Sequence, residues 1–377
     1  MQAYFDNSAT TKPCPEATAA VNEALTANWG NPSSLHYVGI SADRIIADAK
    51  EAVAGELHCS PEEIFFTSGG TESNNLAIIG AARQMRRYGN KIVSTSVEHP
   101  SVDETLKYLA GEGFEIVRLG VNKDGVIDVN ELYEAVDAGT VLITMMLVNN
   151  EVGSVMPVQA ARKAADRAKS KALIHCDAVQ AFGKTDVRPS RLGADIITVS
   201  SHKIHGPKGA GALYIKKGVR IKPLIFGGEQ ENKMRPGTQA TPAIAGFGAA
   251  VRALPDKDAQ AKRTAELKNY MLGLFREAGG IEVNSPENAL PYITNISVEG
   301  IKSEPMLNFL SSKGVCVSAG SACSGGKKSR VLSAMGLDSY RLESPLRISF
   351  SRYTTKEEID YLAAMIAAGK NEIRRIK

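Results

Sequence analysis

Short apolar runs alternate with amphipathic stretches along the first two thirds of the chain. The runs have the length of buried strands, and the stretches between them repeat apolar residues at helical spacing. Strands are predicted at residues 64–68, 91–96, 141–148, 172–176, 195–200 and 212–216, and helices at 71–88 and 158–170. This alternation predicts an α/β protein whose mostly parallel sheet is covered by helices and binds ligands at the carboxyl ends of its strands.

The pattern changes after Leu254, where the chain becomes charged and helical over residues 255–278. Beyond that point, strands are predicted at 292–298, 315–318 and 346–351 and a closing helix at 355–374. A chain of 377 residues exceeds what one hydrophobic core usually supports. We therefore predict a large domain of residues 15–254 and a smaller α+β domain of residues 1–14 and 255–377.

Composition limits the classes of protein that fit this chain. The net charge of +4 is small and the basic residues are dispersed, which argues against a nucleic-acid-binding surface. No apolar run is long enough to span a bilayer, and the first residues lack the apolar core of a signal peptide. Five cysteines without paired spacing favour free thiols, so we expect a cytoplasmic protein without a disulfide framework.

One lysine lies in a position suited to covalent chemistry. Lys203 follows the predicted strand 195–200 and precedes a turn rich in proline and glycine. A lysine at such a strand end loses water, which lowers its pKa and favours the neutral amine that Schiff-base formation requires. The alternative is an ordinary surface lysine, which is where most charged side chains lie.

An acidic residue, Asp177, ends another apolar run, residues 172–176. Pyridoxal 5'-phosphate (PLP) requires a lysine for its aldehyde and a carboxylate that keeps its pyridine nitrogen protonated. Lys203 and Asp177 at the ends of two strands supply both groups. Taken alone, Asp177 fits the N-cap of a helix equally well.

A glycine-rich turn joins the strand at 64–68 to the helix predicted from residue 71. Gly69 and Gly70 let the backbone approach an anion, free N–H groups at the helix start point toward it, and the Thr71 hydroxyl adds a donor. The turn therefore predicts a phosphate site. It lacks the lysine of a P-loop and the spacing of a dinucleotide-binding turn, and the alternative is an ordinary capped turn.

Further motifs occur in order along nearly the whole chain. They occupy residues 4–11, 30–36, 68–73, 98–99, 148–153, 235–238, 318–323 and 347–354, together with the segments around Asp177 and Lys203. The set resembles the cysteine desulfurases, PLP enzymes of the class V aminotransferase family, in the form that carries a Ser-Ala-Cys loop. The resemblance implies the PLP-dependent transferase fold (fold type I), with a mostly parallel seven-stranded sheet in the large domain.

The resemblance also assigns roles to candidate residues. It implies that Lys203 holds the cofactor and acts as general base, that Asp177 pairs with the pyridinium, and that His99 stacks on the ring and moves protons. The other implied cofactor-binding residues are Gly70, Thr71, Asn150, Gln180, Ser200, His202 and Thr238, the last reaching the partner subunit's site. The alternatives are a structural donor for His99 and a solvated helix position for Gln180.

Two residues are implied to bind the substrate. Asn150 is expected near the cofactor ring and the substrate, and Arg352 matches the arginine that grips the substrate carboxylate, a task suited to a bidentate guanidinium. Arg347 is the competing candidate for that carboxylate.

The cysteines divide into one reactive candidate and several packing residues. The resemblance implies that Cys323 attacks the substrate sulfur and carries a persulfide, and the small residues around it predict an accessible thiol. Cys316 fits a buried strand. Cys14, Cys59 and Cys176 are assigned to packing. A metal site formed by His175, Cys176, His202 and His205 matches no zinc spacing, so no metal is predicted.

The sequence therefore predicts a PLP-dependent cysteine desulfurase that converts L-cysteine to L-alanine. It would pass sulfane sulfur from Cys323 to an acceptor in iron–sulfur cluster assembly or tRNA thiolation, and the resemblance implies a homodimer with shared active sites. The alternatives are a selenocysteine lyase or another class V lyase or aminotransferase, and a non-catalytic sulfur-delivery scaffold. The presence of Lys203, Asp177 and Cys323 argues against the scaffold.

Overall fold

The computed structural model describes residues 2–320 and 328–373, so the predicted sulfur carrier Cys323 lies outside the described residues. The strands are β1 (Ala3–Tyr4), β2 (Ile64–Thr67), β3 (Lys91–Thr95), β4 (Glu115–Leu119), β5 (Thr140–Met146), β6 (Leu173–Asp177), β7 (Ile196–Ser200), β8 (Gly211–Ile215), β9 (Ile281–Val283), β10 (Ile293–Val298), β11 (Val315–Cys316) and β12 (Pro345–Ser349).

The α-helices of these ranges are α1 (Pro15–Thr26), α2 (Tyr37–Leu57), α3 (Gly70–Met85), α4 (Pro100–Gly111), α5 (Val129–Ala135), α6 (Gln159–Arg167), α7 (Pro189–Leu192), α8 (Thr241–Arg252), α9 (Lys257–Ala278), α10 (Ser303–Ser312), α11 (Arg330–Ala334), α12 (Ser339–Glu343) and α13 (Lys356–Glu372). Short 3₁₀ helices occupy Pro61–Glu63, Arg86–Tyr88, Ser201–Lys203 and Gln230–Lys233. Across residues 2–320 and 328–373, no helix is both long and apolar enough to cross a membrane.

A seven-stranded sheet with the order β2-β8-β7-β6-β5-β3-β4 forms the centre of the molecule. The pairings from β7 to β4 are parallel, and β8 runs antiparallel to both β2 and β7. Strands β5 and β7 are buried along their whole length, as expected for parallel strands with helices on both faces. The sheet confirms the predicted α/β class, although β4 is not among the strands that the sequence pattern predicts.

Two smaller sheets occupy the other part of the chain. Strands β12, β10 and β9 form an antiparallel sheet, and β1 pairs in parallel with β11. Their apolar core joins Phe5 to buried residues between Leu267 and Ile366, which agrees with assigning the N-terminal residues to the small domain. The main core also includes Tyr292 and Val331, so apolar packing crosses the proposed boundary, and the division at 14/15 and 254/255 stays a prediction.

Candidate active site

One cavity of about 240 Å³ opens where the carboxyl ends of β6 and β7 meet the N-terminal ends of α3 and α4. Nine of the residues selected from the sequence line it, namely Gly70, Thr71, His99, Asn150, Asp177, Gln180, Ser200, His202 and Lys203. They come from parts of the sequence up to 133 residues apart, because the parallel sheet brings its strand ends to one edge.

Lys203 enters the cavity from the 3₁₀ turn directly after β7. Its ammonium donates hydrogen bonds to the carbonyl oxygens of Ser8 and Ala9, the latter at 2.8 Å. Burial lowers the pKa of Lys203 to about 7, and the positive charges of Lys184 and Arg347 act in the same direction. A large fraction of this lysine is therefore neutral, and hence nucleophilic, near pH 7.

Asp177 is the last residue of β6 and is held by two donors. Its Oδ2 accepts from Asn74 Nδ2 over 2.7 Å, and its Oδ1 accepts from the backbone N–H of Val179 over 3.0 Å. Asn74 Nδ2 also donates to Ser101 Oγ at 2.9 Å. These contacts fix both oxygens of a carboxylate on the cavity wall.

His99 is the N-cap residue of α4. Its Nδ1 accepts from the backbone N–H of Ser101 over 3.1 Å and lies 2.8 Å from Ser101 Oγ. Because Nδ1 accepts from a backbone donor, the proton of the neutral ring lies on Nε2. Burial lowers the pKa of His99, and Asp177 opposes that shift, so the ring enters the site as a neutral imidazole at pH 7.

The part of the cavity wall formed by the start of α3 and the end of β7 carries the features of an anion site. Helix α3 begins at Gly70, where a Cβ would lie 2.9 Å from Val179 Cγ2, so a larger residue would crowd the wall. The Oγ of Ser200 is buried and has no hydrogen-bond partner among the described residues. Burial lowers the pKa of His202 to about 4, with Lys203 adding to the effect. Free N–H groups and hydroxyls at this end are the donors that a phosphate accepts.

Gln180 links the cavity to the N-terminal segment. Its Nε2 donates to the carbonyl of Ser8 over 2.9 Å, while its Oε1 is buried without a partner in the ranges that the structure describes. The amide thus presents an unused acceptor to the cavity.

The two candidate arginines have different positions. Arg347 lies on β12 and lines the cavity, where its guanidinium donates to Asp6 Oδ1 over 2.8 Å and to the carbonyl of Asn150 over 3.0 Å. Arg352 does not line this cavity; it donates to the carbonyl of Ala253 and borders a smaller cavity behind Lys203. The geometry therefore favours Arg347 over Arg352 for a carboxylate bound in the main cavity.

Thr238 is exposed and does not line the cavity of its own chain. It follows Gly237, whose φ of +104° is a conformation that favours glycine. The segment thus presents Thr238 outward, and its role at a partner's site stays a prediction.

Three polar residues that line the cavity were not selected from the sequence: Ser8, Asn74 and Ser101. A signal was available for two of them. Asn74 lies one helical turn after Gly70 and therefore on the same face of α3. Ser101 lies two residues after His99, where hydroxyl side chains commonly bond to neighbouring groups at a helix start.

His175 is fully buried on β6, two residues before Asp177, and both of its ring nitrogens have hydrogen-bond partners. Its two ring nitrogens lie 2.8 Å from Thr144 Oγ1 and 3.0 Å from Thr198 Oγ1, and burial lowers its pKa to about 4. In the part of the chain that the structure describes, no cluster of three or more potential metal-ligating side chains occurs.

Comparison with known proteins identifies the class. A family model described as aminotransferase class V matches residues 3–362, and the chain belongs to this family. The cysteine desulfurase IscS of Dictyoglomus turgidum is 38% identical over 380 residues, which cover 100% of this chain and 96% of that protein. These similarities confirm the family predicted from the sequence motifs.

Solved structures show the same fold. A NifS-like protein is 36% identical with a TM-score of 0.93, and the match covers 99% of this chain and 100% of that chain. A structure described as SspA in complex with cysteine is 33% identical with a TM-score of 0.83, covering 94% of this chain and 100% of that chain. The predicted fold class is therefore confirmed.

Proposed function

We propose that this chain is a PLP-dependent cysteine desulfurase that converts L-cysteine to L-alanine and transfers the sulfur to an acceptor. The observation that carries the proposal is the cavity shared by Lys203, whose pKa is lowered to about 7, and Asp177, whose two oxygens are both held by donors. Full-length relatives named cysteine desulfurase support the choice of reaction.

The residues of the cavity fit PLP. Lys203 would hold the aldehyde, Asp177 the pyridine nitrogen, and the α3 terminus with Ser200 and His202 the phosphate. Two buried atoms without partners in the described residues, Ser200 Oγ and Gln180 Oε1, would then gain hydrogen bonds to the phosphate and the ring hydroxyl. When bound, the cofactor would supply an electron sink for the substrate carbanion.

The side chains around the cavity supply binding and proton transfer. Arg347 would pair with the substrate carboxylate, because its guanidinium is held rigidly by Asp6 and by the Asn150 carbonyl. Lys203, with a pKa lowered to about 7, can accept the Cα proton and return a proton near neutral pH. His99 lines the same cavity with its Nδ1 held by the Ser101 N–H, so its Nε2–H can donate a hydrogen bond there.

Sulfur transfer is assigned to Cys323 on the family motif. Its thiolate would attack the sulfur of the substrate, forming an S–S bond as the Cβ–S bond breaks. The bonding electron pair stays with carbon, which takes up a proton, so that L-cysteine and the enzyme thiol yield L-alanine and an enzyme persulfide. No external oxidant is needed, because the sulfur is oxidised as Cβ is reduced.

A homodimer is part of the proposal. Several large apolar side chains are exposed on the chain, among them Trp29, Leu35, Tyr37 and Phe226. Burial of such side chains against a second copy would stabilise a dimer, and Thr238 does not line the cavity of its own chain.

The sulfur acceptor is proposed to be a protein of cluster assembly or tRNA thiolation. The free thiols of Cys14, Cys59, Cys176 and Cys316 suit a reducing compartment such as the cytoplasm.

The proposal is tested by supplying L-cysteine with a thiol reductant and measuring alanine and sulfide in equal amounts. Cys323→Ala should lose alanine formation while L-cysteine still changes the absorbance of the bound cofactor. Faster release of selenide from L-selenocysteine, unaffected by Cys323→Ala, would instead identify a selenocysteine lyase. Absence of turnover with every substrate and acceptor would favour the non-catalytic scaffold.

A further inference from the structure

A buried carboxyl group, Glu151, lies beside the cavity but is not part of it. It follows Asn150, whose carbonyl accepts from Arg347, and its own backbone N–H donates to Asn149 Oδ1 over 2.9 Å. Its backbone carbonyl accepts from Asn295 Nδ2 over 3.3 Å. The main chain at Glu151 is therefore fixed to the cavity wall on one side and to β10 on the other.

The side chain of Glu151 reaches Ser329, two residues after the segment 321–327 that contains Cys323. Ser329 Oγ lies 2.5 Å from Glu151 Oε2 and also accepts from the backbone N–H of Leu332 over 3.1 Å. Because a serine hydroxyl carries one hydrogen and here already accepts at the start of α11, it donates to Glu151. Both residues are buried, which strengthens the bond relative to a solvent-exposed one.

The same carboxyl group lies close to Gly320, the residue before residues 321–327. A Cβ on Gly320 would lie 3.1 Å from Glu151 Oε2, and Gly320 has a φ of +153° that favours glycine. Gly320 is tied to the small domain through its carbonyl, which accepts from Ser318 Oγ, and Ser318 pairs with Arg347. One oxygen of Glu151 therefore adjoins both ends of residues 321–327.

A second contact holds the C-terminal end. Arg330 forms an ion pair with Asp103 and donates to the carbonyl of Glu98. Burial would raise the pKa of Asp103, but bonds and charges from Lys107, Arg330 and Arg118 hold it below its ordinary value.

Burial raises the pKa of Glu151. A carboxyl group retains an oxygen that can accept a hydrogen bond whether it is ionised or neutral. The hydrogen bond from Ser329 is therefore possible in both protonation states of Glu151.

We propose that Glu151 is a positioning residue for sulfur transfer, which holds Ser329 at the wall of the cavity close to Gly320 and so supports the reaction assigned to Cys323. The proposal rests on the proposed function, because it assumes that Cys323 attacks the substrate sulfur. Reactions between held groups depend steeply on geometry, and a misplacement of about 1 Å can cost a hundredfold in rate.

The first test removes the hydrogen bond from each side. Ser329→Ala and Glu151→Leu should lower kcat for alanine formation at least roughly tenfold, while the KM for L-cysteine and the cofactor absorbance change on adding L-cysteine stay native. Ser329→Thr and Glu151→Gln keep the hydroxyl and an oxygen acceptor, so they should recover most of the rate.

A matched control separates positioning from loss of a helix cap. Asp338 caps α12, a five-residue helix like α11, without contacting Glu151. Asp338→Ala should therefore leave kcat unchanged. An equal loss of kcat in Asp338→Ala, or native kcat in Ser329→Ala, would overturn the proposal.

A readout at the thiol itself completes the experiment. The rate of Cys323 alkylation by iodoacetamide, followed by mass spectrometry of its peptide, should change in Ser329→Ala and Glu151→Leu, with Cys316 alkylation as the internal reference. Unchanged Cys323 alkylation would contradict a positioning role. If the native enzyme forms no alanine, or Cys323→Ala turns over normally, the proposed function fails instead, which a positioning failure alone would not produce.

Discussion

Asn74 Nδ2 donates a hydrogen bond to Asp177 Oδ2 over 2.7 Å and a second to Ser101 Oγ over 2.9 Å. One buried amide therefore joins α3, the end of β6 and the first turn of α4. Since the backbone N–H of Val179 holds the other oxygen of Asp177, the carboxylate has a single orientation at the cavity. The relationship makes Asn74 a support for the acidic group on which PLP binding is proposed to depend.

Asn74→Ala is expected to weaken PLP binding. Removal of a hydrogen bond to a charged group costs about 1.5–3 kcal/mol, which corresponds to a roughly ten- to hundredfold higher Kd for PLP. The measurement is fluorescence titration of the apoprotein. Asn75→Ala is the matched control, because Asn75 is on the same helix but bonds to Thr71 and Thr105 instead. Equal affinities of the two variants would show that the Asn74–Asp177 bond does not support the cofactor.

The lowered pKa of Lys203 predicts the pH dependence of cofactor attachment. Only the neutral amine forms a Schiff base, so the rate of PLP uptake by the apoprotein should rise with pH through about 7 and then level off. An ordinary lysine would give a rise that continues toward pH 10. Borohydride reduction should label Lys203, and Lys203→Ala should abolish the label; a label on another lysine would contradict the assignment.

Lys184 should shift this profile. Its positive charge lowers the pKa of Lys203, and Lys184 has a pKa that burial lowers to about 8. Lys184→Met removes the charge, so the midpoint of PLP uptake should move to higher pH. Lys208→Met is the control, since Lys208 affects His202 but is not among the charges acting on Lys203. A shift of equal size in both variants would assign the effect to general charge.

Most of the fold follows from the sequence because its strands are buried on both faces. The runs at 91–96 and 195–200 correspond to β3 and β7 within one residue at each end. Strand β4 escaped prediction because it lies at the sheet edge, where Glu115 and Arg118 are exposed and interrupt the apolar pattern. Edge strands need less apolar surface than central strands, so their pattern is weaker.

The site was less predictable where it depends on which way a side chain points. In β12, Leu346 and Ile348 pack in the apolar core that also contains Phe5, so Arg347 between them faces the opposite side, toward the cavity. Arg352 follows the end of the strand, where alternation no longer applies. The motif resemblance selected Arg352 and left Arg347 as the competitor, whereas alternation along the strand favours Arg347.

Arg347→Lys is expected to raise the KM for L-cysteine more than Arg352→Lys does. A lysine keeps the charge but loses the two-pronged contact with a carboxylate, which is worth about 1.5–3 kcal/mol, or a roughly tenfold or larger change in KM. The defect should disappear with L-cysteine methyl ester, which lacks the carboxylate. An equal defect with the ester, or a larger effect of Arg352→Lys, would argue against Arg347 as the carboxylate ligand.

Shared active sites predict a specific result when two defective chains are mixed. Lys203→Ala cannot attach the cofactor, and Thr238→Ala should bind it weakly if Thr238 serves the partner's site. In the mixed dimer, one site then combines a native Lys203 with a native Thr238, whereas the other site carries both changes. Random pairing of equal amounts makes half of the dimers mixed, so about a quarter of all sites should be native.

The measurement is PLP occupancy of the mixture at a PLP concentration too low to fill the Thr238→Ala site, with each variant alone as control. Were Thr238 to serve its own chain, mixing would create no native site and occupancy would not rise. A monomer in sedimentation that binds PLP and forms alanine at the native rate would also refute the shared site.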